Sequence, residues 1–279
     1  MPVRKLWYLP AVVLTGCVAC MAQGQFKGAT ALTGNWHLTG SWTMPLADPR
    51  LTVSLEVDGE NVRGGGDLQS FCETDHTGSG TSFFLAGKVS ADGSFVLTDP
   101  SFSQTTSKSR NPISISGTLP APGSKQWSGR FYFPPMGRSQ CAGEFTGEFT
   151  ATPLPALKGV YTGKLNLADY STALVTIEVD QGERVSLTAK LSVGKWSKFP
   201  AQAPTAYISD PSSSYVSGDE VFLSFPADNG AGVKLMGSFT DASAQRLQFV
   251  VSNLRAGPAG SALDYIGVRL GGAGVLTRQ

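Results

Sequence analysis

The stretch Leu51-Thr-Val-Ser-Leu-Glu-Val57, followed by Asp58-Gly59-Glu60, decides the fold. On an extended chain Leu51, Val53, Leu55 and Val57 share one face, and Thr52, Ser54 and Glu56 share the other. The Asp-Gly that follows supplies the positive φ of a tight turn. The same signature recurs outward from there. Ser82-Phe-Phe-Leu-Ala-Gly-Lys-Val89 reaches the turn Asp92-Gly93 and continues as Ser94-Phe-Val-Leu-Thr98. Ile113-Ser-Ile-Ser-Gly-Thr-Leu119, Ser128-Gly-Arg-Phe-Tyr-Phe133 and Glu144-Phe-Thr-Gly-Glu-Phe-Thr-Ala-Thr152 alternate in the same way. No stretch sustains the 3.6-residue apolar period of an amphipathic helix. The chain is expected to be all-β and antiparallel.

Composition agrees. Charged residues are 15% of the 279, Gly numbers 33, and 41% of residues are hydrophobic. That is enough apolar material for a sizeable core, in a strand-and-turn style. The formal net charge is +1 and falls to −1 once Arg4 and Lys5 are removed with a leader. A near-neutral body has no electrostatic reason to bind nucleic acid.

The pattern is written twice. Leu32-Thr-Gly-Asn-Trp36 corresponds to Leu157-Lys-Gly-Val-Tyr161, and Ala151-Thr152 to Leu276-Thr277, each 125 residues later. Leu55-Glu-Val-Asp58 matches Ile177-Glu-Val-Asp180, and Glu60-Asn-Val62 matches Glu183-Arg-Val185. Phe84-Leu-Ala-Gly-Lys-Val89 matches Lys234-Leu-Met-Gly-Ser-Phe239. Two tandem units are expected, at 32–153 and 156–279, joined through Pro153-Leu-Pro155. A Pro- and Ser-rich insert, Lys195 to Asp219, interrupts the second and reads as a long loop. Successive hairpins must protect their edges, which a closed barrel or a β-sandwich can do. Gly64-Gly65-Gly66 reads as a turn or bulge, because it lacks the Lys-Ser/Thr of a phosphate-binding loop.

The opening Gly-Asn-Trp of the first unit resembles the start of lipocalin-like small barrels. That resemblance implies an eight-stranded barrel able to hold one small apolar ligand. The N-terminus carries a second resemblance. Arg4-Lys5 precedes an apolar run, Leu6 to Leu14, too short to span a bilayer. Leu14-Thr15-Gly16-Cys17 resembles the lipobox of bacterial lipoproteins. It implies a signal peptide at 1–16, cleavage before Cys17, acylation of Cys17 (palmitate among its chains), and a tether over 17–31. An ordinary secretory signal would instead be cut further on, after Ala22. Val18 after the cysteine, rather than Asp, points to the outer membrane. Membrane attachment would be through this lipid, since the short, Gly-punctuated strands do not read as a membrane-spanning barrel.

In an oxidising envelope Cys72 and Cys141 are expected to form a disulfide, worth roughly 4 kcal/mol for a loop of about 70 residues. Cys20 is left over. No catalytic residue, metal ligand or cofactor is assigned. Of the two histidines, His37 reads as a strand-surface residue and His76 as part of the polar loop Cys72-Glu-Thr-Asp-His76. Trp36, Trp42, Phe83, Phe84, Phe95, Trp127, Phe131 and Phe133 crowd the first unit, either as core or as the lining of a cavity. The expected protein is a non-enzymatic envelope lipoprotein that binds a small apolar molecule or lipid. The alternative is a protein-interaction module or an inhibitor of an envelope enzyme.

Overall fold

The computed structural model describes residues 30–42, 46–72, 77–100, 111–121, 123–134, 144–182, 185–197, 205–226, 232–239, 243–255 and 269–279. The leader, Cys17, Cys20, the tether up to residue 29, His76 and Cys141 lie outside these residues, and so does the pairing of Cys72 with Cys141.

Alternation becomes strand throughout. After a 3-10 turn, Thr30–Leu32, the first lobe is formed by β1 (Gly34–Trp42), β2 (Leu46–Asp58), β3 (Asn61–Cys72), β4 (Thr77–Val89), β5 (Ser94–Thr98), β6 (Ser114–Thr118), β7 (Trp127–Phe133) and β8 (Phe145–Leu154). Each strand pairs antiparallel with the next, and β8 returns to β1, closing an eight-stranded barrel. Closure removes the sheet edges. Arg63, Lys88, Arg130 and Glu148 stand exposed on its outside, where a lipid-facing wall would exclude charge.

The inward residues fill the barrel. Trp127 is met edge-on by Trp36 at 5.9 Å, Phe95 at 5.4 Å and Phe149 at 5.0 Å between ring centroids. Below them Phe131 packs on Phe145 at 5.0 Å, and Phe83 on Phe133 at 5.1 Å. Each fully buried Phe contributes about 1.5–3 kcal/mol. Room for so many rings comes from glycine. Phe95, Gly117, Gly129 and Phe149 are successive cross-strand partners on β5 to β8, and the phenyls lie over the glycines. A Cβ on Gly129 would sit 2.0 Å from the Ser116 carbonyl oxygen and 2.9 Å from Phe149 Cζ. Phe84, grouped by sequence with these rings, instead points outward and is exposed.

The second lobe contains β9 (Lys158–Leu167), β10 (Thr172–Asp180), β11 (Thr188–Trp196), β12 (Thr205–Ile208), β13 (Tyr215–Ser217), β14 (Glu220–Phe225), β15 (Val233–Phe239), β16 (Arg246–Arg255) and β17 (Arg269–Arg278). They form one sheet in the order β12-β11-β10-β9-β17-β16-β15-β14-β13. The sheet curls over a continuous core that includes Tyr161, Ile177, Leu191, Phe225, Phe249 and Leu276. Its two ends are drawn together by the bridge between Ser186 and Tyr215 and by the bond from Asp210 N to Ser224 O.

The 125-residue repeat is real in the backbone. Leu38 pairs with Ala151, and Gly163 pairs with Leu276, each position moved by 125. Gly34 and Gly159 share a positive φ, 137° and 129°. Other matches do not superpose. Leu55 pairs with Gly34, but its sequence counterpart Ile177 pairs with Tyr161, two residues out of step. Phe84–Val89 belongs to the fourth strand of its lobe, whereas Lys234–Phe239 is β15, third from the end of the second, the position of β6. Two features read as loops are strands. Gly64 to Gly66 run through the middle of β3, and the Lys195–Asp219 insert supplies the end of β11, then β12 and β13.

Candidate functional site

Among the described residues the structured polar chemistry lies where the lobes meet. The outward face of β1, β2 and β3 offers Asn35, Arg50, Thr52, Ser54, Glu56 and Asp67. Against it lie Gln181 and the turn Ser217-Gly218-Asp219-Glu220, which links β13 to β14. Asn35 and Gln181 exchange amide hydrogen bonds: Asn35 Nδ2 donates to Gln181 Oε1 at 2.9 Å, and Gln181 Nε2 donates to Asn35 Oδ1 at 2.8 Å. Asn35 also donates to Pro155 O at 3.1 Å and accepts from Ser54 Oγ at 2.7 Å. Gln181 Oε1 receives Leu157 N at 2.9 Å. Proline 155, expected in a linker, is thereby held in the seam.

The turn docks by a second set of contacts. Gly218 N donates to Ser54 Oγ at 2.8 Å, and Thr52 Oγ1 donates to Asp219 Oδ1 at 2.8 Å. The Arg50 guanidinium lies 2.8 Å from Asp219 Oδ2. Val185 N donates to Glu56 Oε2 at 3.3 Å, while Arg63 holds the other oxygen at 2.9 Å. Glycine makes the approach possible. Gly218 has φ 67°, and a Cβ there would stand 2.0 Å from Thr52 Oγ1. Gly65 leaves the barrel wall bare where Ser217 Oγ comes in; its Cβ would be 2.9 Å away. Gly65 is thus the floor of an interface, while Gly66 on the other face of β3 makes room for the Phe83 ring.

Three carboxylates converge there. Asp67 and Asp219 are buried, and Ser82 Oγ stands 3.3 Å from Asp67 Oδ1 and 3.4 Å from Glu220 Oε2. Asp67 Oδ2 is buried without a hydrogen-bond partner. No three His, Cys, Asp or Glu side chains among the described residues are grouped to hold a metal ion. His37 projects from β1 at the margin of the seam, half-buried. Burial, then the nearby Arg50, hold its imidazole below the usual histidine range, against the pull of Asp219.

Beside the seam the second lobe has an open apolar row on its outer face. Tyr215, Phe222, Met236, Val250 and Ala273 are successive cross-strand partners on β13 to β17. Five strands at about 4.8 Å spacing make this row roughly 19 Å long. Tyr215 and Phe222 stack at 4.8 Å, while Met236 and Val250 are 56% and 57% exposed. Flanking positions are mostly uncharged: Ser224, Ser238, Gln248 and Ser252, with Lys234 and Glu220. Sequence reading missed both features. Thr52, Ser54 and Glu56 look like any solvent face until Asn35 and Gln181, 146 residues apart, are brought together. An alternation with Phe222, Met236 and Val250 on the polar side was the available signal for the row.

No known protein family matches the sequence, and no curated protein matches it. Among solved structures the chain is similar to a tryptophan-to-alanine mutant of the vaccine antigen transferrin-binding protein B from Haemophilus parasuis Hp5. Identity is 12% and the TM-score 0.21, over 83% of this chain and 66% of that one. The chain therefore spans just under two thirds of that structure, and the superposition is too loose to transfer an activity.

Proposed function

We propose that this protein is a lipid-anchored, non-enzymatic component of the bacterial envelope that holds another protein on the outer face of its second lobe. The anchor follows from the lipobox ending at Cys17, and the outer membrane from Val18. The observation that carries the binding mode is the contrast between inside and outside. Rings that could have lined a ligand cavity in the barrel pack on one another, while the Tyr215–Phe222–Met236–Val250 row lies open. Contiguous exposed apolar surface on a folded body marks an interaction site. The concave regions over the barrel, such as the one lined by Gly117, Gly129, Arg130 and Glu148, are open troughs on the outside of its wall. A small apolar ligand inside the barrel therefore has less support than a protein outside it. The polar groups of the seam hold the lobes to each other, which favours binding over catalysis.

The test is a photo-crosslinking residue placed at Met236, with a control at Val96, an exposed position on the outside of the barrel. In intact envelopes the probe at 236 should give a discrete protein adduct that Val250→Glu abolishes. Equal adducts from both positions, or an adduct indifferent to Val250→Glu, would contradict the proposal.

A further inference from the structure

The seam carries an imbalance of charge that docking alone does not require. Asp67 from β3, Asp219 from the turn and Glu220 at the start of β14 meet there, and Arg50 from β2 supplies the positive charge that acts on Asp67 and Asp219. Asp67 is 2% exposed and Asp219 1%. Ionised together, the three acids would place excess negative charge on two buried carboxylates and a half-buried one, which desolvation and mutual repulsion disfavour. The Ser82 hydroxyl lies between the Asp67 and Glu220 carboxylates, within reach of both, and Asp67 Oδ2 is buried outside hydrogen-bonding geometry. The arrangement is that of two acids sharing a proton through their neighbour.

We propose that Asp67 and Glu220 form a proton-operated latch between the lobes: while a proton is held on this pair the Ser217–Glu220 turn stays docked on the barrel, and loss of the proton loosens it. The proposal stands on the geometry of the seam and does not depend on the partner row.

The surroundings set the direction. Burial, then Asp67, then Asp219 push the Glu220 carboxyl up to about 7, opposed by the hydrogen bond from Ser82. Burial and Asp219 raise Asp67 as well, against Gln69, Ser82 and Arg50. An acid whose pKa is higher docked than undocked binds its proton more tightly when docked. The proton on Glu220 therefore favours docking at low pH; docking weakens as pH rises towards about 7 and changes little beyond. His37 on β1 is held low, first by burial and then by Arg50 of its own lobe, while Asp219, its charged neighbour from the other lobe, pulls it up. Tyr215 on β13 is pushed up, first by burial and then by Glu220, and stays neutral throughout. Ser238 on β15, the strand partner of Glu220, is uncharged. Glu220 sets the alkaline edge of docking.

Hydrogen exchange on the full mature protein tests this. Exchange of a peptide containing Gly218 and Asp219 is compared with one containing Trp127–Phe133, each corrected for intrinsic rate, at pH 5.5 and pH 8. The seam peptide should lose protection on the order of tenfold between those values, with the barrel peptide unchanged, as a partly exposed acid pushed up to about 7 requires. Glu220→Gln, neutral at every pH, should keep its protection at pH 8. Asp67→Asn should move the loss to lower pH by relieving the repulsion on Glu220. Uniform exchange across the range in the native protein, or a Glu220→Gln variant that follows it, would overturn the latch. If Glu220→Gln fails to fold, an unshifted midpoint in Asp67→Asn overturns it equally.

Discussion

Asn35→Ala should cost far more than one polar residue on a strand surface usually does. Asn35 is 2% exposed and takes part in four hydrogen bonds, two with Gln181, one with Pro155 and one with Ser54. At about 1 kcal/mol net for each, and with Gln181 Nε2 and the Ser54 hydroxyl left in a buried seam, the loss comes to about 3–4 kcal/mol. For a body of this size that lowers Tm by roughly 10 °C. Gln181→Ala removes the opposite half of the amide pair. Because the two residues touch, the double variant should be less damaged than the sum, with a coupling of about 2 kcal/mol. Urea unfolding of residues 21–279, followed by tryptophan fluorescence and by circular dichroism, gives all four corners of the cycle. In a Trp196→Phe background, used throughout the cycle, the remaining tryptophans belong to the first lobe and report on the barrel, while circular dichroism weighs both lobes. The two probes should coincide in the native protein and separate in Asn35→Ala as the lobes uncouple. A cost below about 1 kcal/mol, or strict additivity with Gln181→Ala, would refute the reasoning that this pair ties the lobes together.

Three further outcomes are expected. Gly129→Ala should destabilise the barrel by about 2–3 kcal/mol, because its methyl meets the Ser116 carbonyl and the Phe149 ring. Gly80→Ala, with nothing within 4 Å of the new carbon, should stay within about 0.5 kcal/mol in the same denaturation assay. Cys17→Ser should abolish incorporation of a clickable palmitate analogue and release the protein from the membrane fraction, which fractionation and in-gel labelling will show.

The sequence was most legible where geometry is local. Leu51–Val57 is a strand because alternation with a buried face allows little else, and Asp92-Gly93 is a hairpin with Gly93 at φ 82°. The repeat was readable at Leu32–Trp36 and Leu157–Tyr161 because both copies need a glycine at the same unusual φ. It misled at Phe84–Val89 against Lys234–Phe239, since an inward Leu and Gly recur wherever a cross-strand side chain needs room, Leu97 at Gly87 and Phe249 at Gly237. The Gly64–Gly66 run looked like a turn because the cause of its glycines lies outside the strand, in Phe83 on one side and Ser217 on the other. The insert looked like a loop because β12 and β13 are four and three residues long, too short to show a period. The seam stayed hidden for a different reason. Its residues are ordinary strand-surface polar groups, and only long-range docking makes them buried.

Native mass spectrometry of residues 21–279, purified from a bacterial envelope without detergent, tests most directly whether the protein works through its surface rather than its interior. With both cores closed by their own side chains, the protein should appear at its apo mass. A co-purifying species of a few hundred daltons, lost on denaturation and retained in Val250→Glu, would contradict the account and place a small ligand where the aromatic rings are described.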